Sequence, residues 1–360
     1  MAQLQSAMVK PRDRNFNKNT QIVMWELTRA CQLHCVHCRA KAQTRRDPDE
    51  LTTDQAKRVI DQIAEMDHPL IVFTGGDPLE RPDLFDLIDY AVAKGHRVSL
   101  ATSVTPNLTR SVIQRAVASG VSQFAVSLDG ATSQTHDRFR SVHGSFKQTM
   151  SALQNLQESD LSVQINTTVT AWNETELEGI ADIAEQYQIN LWSLFFLIPT
   201  GRGRASMMLD AEQNERVLNW LSEQSKFRPF AVKTTEAPFY RRILSQNRQQ
   251  LTGRNITDGD GFIFLSHTGH VYPSGFLPLS VGHVTRTSLA TLYRESPLLL
   301  SLRNRELRKG KCGVCEFREI CGGSRARAFA ATGDPLESDP GCSYIPHILR
   351  KSDGMKESRT

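Results

Sequence analysis

The sequence predicts an α/β protein: an open (β/α)6 partial TIM barrel followed by a small C-terminal α+β domain organised around cysteines. Three observations carry this expectation. Apolar, β-branched runs alternate with amphipathic stretches through the first 205 residues, and strand–helix alternation implies βα units, a parallel sheet and right-handed crossovers. The units recur six times at roughly 30 residues each, fewer than the eight units and ~250 residues of a closed barrel. Seven cysteines then fall into two groups, at 31, 35 and 38 and at 312, 315, 321 and 342. An odd count at such short spacings suits thiolates converging on metal centres better than a disulfide framework.

The elements follow in order. Strands are expected at 21–27, 69–73, 97–101, 121–127, 162–169 and 190–198, each ending where a motif begins. Between them lie the helical stretches TTDQAKRVIDQIAEM, RPDLFDLIDYAVAKG, LTRSVIQRAVASG, SFKQTMSALQNLQES and TELEGIADIAEQYQ. The barrel spans 20–205, behind a polar, flexible N-terminal segment, 1–19. A polar helical connection, 206–260, contains DAEQNERVLNWLSEQSKF. The auxiliary domain spans 261–347 and opens with a hairpin, FIFLSHTGHVYPSGF, turning at Thr268-Gly269. Residues 348–360 read as a flexible tail.

Composition narrows the function classes. With 360 residues, 39% hydrophobic and 23% charged, the chain can bury a core. Lys+Arg 43 against Asp+Glu 39 gives a net charge of only +4, scattered along the chain, so no nucleic-acid partner is expected. No run of eighteen apolar residues occurs, so no membrane span is expected. MAQLQSAMVKPRDRNFNKNT lacks a signal-peptide core, and a cytoplasmic location is expected.

The cysteine spacings specify two different sites. Cys31-x3-Cys35-x2-Cys38 supplies three thiolates, too few to close a tetrahedral zinc site alone but able to hold three irons of a [4Fe–4S] cube. A Cys3His zinc site with His34 or His37 is the other reading. Cys312-x2-Cys315-x5-Cys321-x20-Cys342 supplies four, enough for tetrahedral zinc or a fully ligated cluster, and spacing does not separate the two.

The flanking sequence adds a resemblance. MWELTRACQLHCVHC, then IVFTGGDPLERPDL, SLDG with HDRFR, and INTTV resemble the radical S-adenosylmethionine superfamily over roughly residues 20–200. The resemblance implies that Cys31, Cys35 and Cys38 hold a [4Fe–4S] cluster whose open iron is chelated by S-adenosylmethionine. Gly75, Gly76, Asp77 and Pro78 match the family's glycine-rich motif beside the methionyl amino group. Arg140 matches the position that meets the cofactor carboxylate. Ser103, Ser127, Asp129 and Asn166 share the strand-end rim, where ribose or carboxylate contacts arise, and Ile198 with Pro199 would flank adenine. Glu26 and Thr28 match the segment supporting the cysteine loop, while Ser141 stands where relatives often have Gly. Such a reduced cluster delivers an electron to the sulfonium and releases a 5′-deoxyadenosyl radical.

The C-terminal cysteines resemble the SPASM/twitch extension, implying a second, auxiliary [4Fe–4S] cluster with four protein ligands. Ser274 occupies a place where a fuller extension has Cys. The stretch CGG-SRARA with TGDP, and LIPTGRGRA, resemble maturases of haem and haem d1, implying decarboxylation of coproporphyrin-type propionates. A polycarboxylate tetrapyrrole needs cationic clamps, and Arg202, Arg204, Arg241, Arg242, Arg325 and Arg327 are the candidates, with Phe239 and Tyr240 to stack on the ring. His267, His270 and His283 are candidates for haem-iron ligation or proton transfer, or simply hairpin residues. Maturation of a ribosomally made peptide is the alternative function, followed by carbohydrate or alcohol oxidation and a non-catalytic iron–sulfur or zinc scaffold. An electron donor such as ferredoxin or flavodoxin is implied as partner.

Overall fold

The computed structural model describes residues 15–251 and 253–350. Ten strands form one sheet: β1 Ile22–Glu26, β2 Leu70–Thr74, β3 Val98–Ala101, β4 Gln123–Ser127, β5 Ser162–Val169, β6 Leu191–Phe196, β7 Ala231–Thr235, β8 Phe262–Leu265, β9 His270–Tyr272 and β10 Gly282–His283. Their order is β10-β9-β8-β1-β2-β3-β4-β5-β6-β7. The run from β8 through β1 to β7 is parallel throughout, and β9 and β10 add antiparallel at one edge. Among the described residues nothing pairs β7 with β8, so the barrel stays open.

All six expected strands are present, and the parallel run is longer than expected. β7 lies inside the segment read as a helical connection, and the hairpin's first arm, β8, pairs parallel with β1. AVKTT carries no buried residue, because this edge strand lacks the two-sided apolar cover of the central strands.

Local sequence explains the helices between strands. Thr52 and Gln55 form a reciprocal capping box that starts Thr53–Ala64, and Asp210 with Gln213 does the same for Ala211–Gln224. In β5 alternate residues Val163, Ile165, Thr167 and Val169 are buried, while Gln164, Asn166 and Thr168 are only partly so. Trp192 fixes which face is which: its ring packs edge-on against Trp220 of the following helix and against Phe230. That face meets the helices, and its opposite lines the lumen.

The polar termini need one correction. Phe16 is buried, and the Tyr293 hydroxyl donates to its carbonyl at 2.8 Å, so residues 15–19 are held rather than loose. The remainder of the segments read as flexible, 1–14 and 351–360, lies outside the described residues. Among the described residues no helix is long and apolar enough to cross a membrane.

Candidate active site at the two cysteine loops

The first cysteine loop leaves the carboxyl end of β1 and is clamped from both sides by backbone. Gly76 N donates to Thr28 O and Asp77 N to Ala30 O, both at 2.7 Å. A Cβ on Gly76 would lie 2.4 Å from Ala30 O, and one on Gly75 2.5 Å from Thr28 O, so only glycine admits this approach. On the far side Gly201, at φ +64, would place a Cβ 2.3 Å from Cys38 O. Arg202 follows it, donating from Nε to Cys35 O at 2.8 Å and from Nη1 to Ala42 O at 3.0 Å.

Cys31 and Cys35 are buried and Cys38 is partly exposed. Each sulfur has an N–H donor: Leu33 N to Cys31 at 3.4 Å, Ala42 N to Cys38 at 3.4 Å, and Arg140 Nη1 to Cys35 at 3.7 Å. Burial pushes the empty Cys31 thiol up to about 12, and burial likewise raises Cys35 against the pull of Arg140. Metal binding at this loop therefore displaces protons.

Arg140 is itself held. Its Nη2 lies 2.5 Å from Asp129 Oδ2, and Asp129 Oδ1 accepts from Thr168 N at 2.7 Å. Burial would raise Asp129, but the Arg140 guanidinium and the hydrogen bond from Thr168 N outweigh it and hold the carboxyl below its usual range. Asp129 is fully buried, and its carboxylate is engaged by Arg140 and Thr168 N. Burial lowers His37 to about 4 and His136 to about 3, leaving both neutral at pH 7. His37 packs against Asp129, at 3.5 Å. Ser141, where glycine was noted as common, adopts φ +54 as the helix Ser133–Arg140 ends.

The remaining expected contacts divide into two groups. Asp77 is buried, accepts from Thr105 Oγ1 at 2.6 Å and caps the turn Pro78–Glu80. Burial raises its carboxyl to about 6. Ser103 donates to Gly76 O, and Pro78 and Ile198 are buried. Ser127 and Asn166 are register partners across β4 and β5, on the lumen face.

A polar cluster beneath the loop was not anticipated as a unit. Buried Glu26 accepts from Arg39 at 2.8 Å and from His267 Nδ1 at 2.9 Å, with Arg29 at 3.4 Å. Burial alone would raise it; Arg39, the His267 hydrogen bond and Arg29 together hold it down at about 2. Arg39 also lies over the Phe264 ring at 4.5 Å, tying the first cysteine loop to β8. The sequence signal was the ELT before the cysteines and the hairpin histidine, 241 residues apart.

The second loop forms at the surface. Cys312, Cys315, Cys321 and Cys342 line one open cleft with Arg242, Lys311 and Phe317. Asp339 N donates to Cys312 and Gly323 N to Cys321, both at 3.4 Å. Beneath it Arg325 donates to the carbonyls of Gly323, Pro335 and Glu337, and Arg327 pairs with Asp339 at 3.2 Å. All seven cysteines are free thiols.

This placement corrects the clamp assignments. Arg325 and Arg327 are buried inside the second loop, Arg242 pairs with Glu215, Arg241 donates to Gly253 O, and Arg202 braces the first loop. Arg204 is exposed. Phe239 and Tyr240 are core residues and present no face to a ligand. His283 Nε2 donates to Thr268 O at 2.7 Å and its ring packs edge-on against His270, as hairpin residues do. Ser274, buried, accepts from Phe276 N at 3.2 Å.

Comparison with known proteins agrees with this arrangement. The family model for the radical SAM superfamily matches residues 25–184. The chain is 38% identical to the AdoMet-dependent heme synthase of Methanosarcina barkeri, covering 91% of this chain and 97% of that one. The chain belongs to the radical SAM superfamily. Its similarity to the AdoMet-dependent heme synthase of Nitratidesulfovibrio vulgaris is 39%, over 91% of this chain and 94% of that one. Among solved structures it is similar to Streptococcus suis SuiB bound to S-adenosylmethionine, with TM-score 0.73 at 14% identity, covering 91% of this chain and 78% of that one. The likeness shows the fold. As a radical SAM enzyme the protein uses S-adenosylmethionine and a [4Fe–4S] cluster.

Proposed function

We propose that this enzyme acts on a tetrapyrrole, converting propionate side chains of iron-coproporphyrin to vinyl groups. The observation that carries the reading is near full-length similarity to AdoMet-dependent heme synthases. Each propionate would lose one hydrogen atom to the 5′-deoxyadenosyl radical, one electron to a one-electron acceptor such as an oxidised iron–sulfur centre, and carbon dioxide. S-adenosylmethionine bound at a reduced [4Fe–4S] cluster supplies the hydrogen-abstracting radical.

In this reading Cys31, Cys35 and Cys38 would hold the cofactor-binding cluster, a fit supported by three cysteines packed in one cluster, each sulfur with an N–H donor. Arg140, fixed by Asp129, would meet the cofactor carboxylate, a charge-assisted pairing suited to guanidinium. The bare edges of Gly75 and Gly76 would face the amino group, and Ser127 and Asn166 the ribose. Cys312, Cys315, Cys321 and Cys342 would hold an auxiliary [4Fe–4S] cluster. The four cysteines line one cleft together, and four thiolates suffice for a fully ligated cluster. A ferredoxin- or flavodoxin-class carrier would supply the reducing electron.

The test uses protein reconstituted without oxygen and given dithionite, S-adenosylmethionine and iron-coproporphyrin. The expected result is 5′-deoxyadenosine together with porphyrin whose mass falls by carbon dioxide plus two hydrogens per vinyl formed. Nucleoside without porphyrin turnover would overturn the substrate while keeping the enzyme class.

A further inference from the structure

Of the six cationic clamps read from the sequence all but the exposed Arg204 are engaged within the fold, and one lysine outside that set stands in the barrel. Lys233, on β7, is register partner of Ser193 on β6, which pairs with Asn166 on β5, which pairs with Ser127 on β4. Residues paired across a sheet share a face. Trp192 and Val232, one residue earlier, pair on the opposite face, where Trp192 meets the helix residue Trp220. Lys233 therefore points into the lumen, on the same level as Ser127 and Asn166. Two strand spacings, roughly 10 Å, separate its backbone from that of Asn166.

Among the described residues the Lys233 ammonium has no carboxylate or other hydrogen-bonding partner, and the residue is exposed. An ammonium in that position lacks the anion that structural lysines ordinarily have. Beside it the wall is aromatic. Phe195 lies two residues along β6 on the same face, and its ring is 6.4 Å from that of Phe276, in the loop after β9. A cation next to an open aromatic wall suits a flat ring bearing a carboxylate.

We infer that Lys233 anchors a carboxylate of the substrate in the barrel lumen, with the Phe195–Phe276 wall against the macrocycle. The assignment rests on the tetrapyrrole reading and adds to it the residue that orients the ring by a propionate that is not being consumed. S-adenosylmethionine also carries a carboxylate, so the experiment separates the two sources.

Iron-coproporphyrin is titrated into the reconstituted protein and followed by its Soret band, beside a separate S-adenosylmethionine binding measurement, in wild type, Lys233→Met and Lys233→Arg. Lys233→Met should weaken porphyrin binding by roughly tenfold or more, the ~1.4 kcal/mol scale of one charge-assisted contact. Lys233→Arg should restore most of it. In turnover the loss should appear in KM before kcat. Unchanged porphyrin affinity in Lys233→Met overturns the assignment. So does weakened S-adenosylmethionine binding with intact porphyrin binding, which gives the ammonium to the cofactor. A wild-type protein that binds no porphyrin overturns the tetrapyrrole reading itself, an outcome distinct from the other two.

Discussion

The two cysteine loops solve different problems with the same residue. The first sits on the carboxyl ends of parallel strands, with Cys31 and Cys35 buried and the backbone of the segments after β2 and after β6 pressed against it. The second lies at the surface, built from short helices and turns, with all four cysteines partly exposed over buried Arg325, Arg327 and Asp339. Three thiolates leave a coordination position open, and that position must be aimed at a lumen, which demands a rigid sheet. Four thiolates close their own site and need only a cationic floor that stabilises negative sulfur. Placement in the fold thus tracks whether the site must receive a ligand.

Replacing ligands on each side should expose this difference most strongly. Cys31→Ala, Cys35→Ala or Cys38→Ala should reduce 5′-deoxyadenosine formation to background, measured by chromatography after dithionite reduction. Retained formation in any of the three would break the comparison at its root. Cys321→Ala or Cys342→Ala should instead lower iron from about eight to about four per chain, with substrate turnover lost before cofactor cleavage. Unchanged iron would argue that the second loop binds zinc or nothing.

The charge network under the first loop gives the next effect. Glu26→Gln leaves Arg39 without its buried counter-ion and should destabilise the fold by ~3 kcal/mol at pH 7, visible as a lowered Tm. Because the folded carboxyl is held at about 2, below its ordinary 4.5, its stabilisation is present above pH 4.5 and lost as pH falls toward 2. Wild-type unfolding free energy should therefore drop with acid across that window, and the Glu26→Gln profile should be flatter. Parallel profiles would remove Glu26 from the account.

The smallest effect is local. Ser141→Gly relieves a left-handed residue at φ +54 and should raise stability by up to ~1 kcal/mol. A fall in Tm would show that the Ser141 side chain contributes more than its backbone costs.

Much of this was legible beforehand, and unevenly. Cysteine is rare enough that its spacing announces itself, and the six central strands are apolar enough to be read from β-branched runs. The strand β7 escaped because one polar edge strand of five residues looks like connection. The arginines misled for a different reason. Sequence gives charge but not burial, so Arg325, bonded to three carbonyls inside the second loop, reads the same as an arginine waiting for a ligand. Lys233 and the Glu26–His267 contact depend on strand register and on residues 241 positions apart, which no local pattern records.

The brace that Arg202 gives the first loop has a consequence in time. Its guanidinium bonds the carbonyl of Cys35, 167 residues earlier in the chain. At ~5–20 residues per second of synthesis, the cysteines wait roughly 8–30 seconds, unbraced, before Gly201 and Arg202 emerge. A metal centre installed during that interval would enter a loop lacking one of its walls. Maturation is therefore expected to follow completion of β6, and a chain truncated before residue 200 should take up iron poorly even though its first three cysteines are all present.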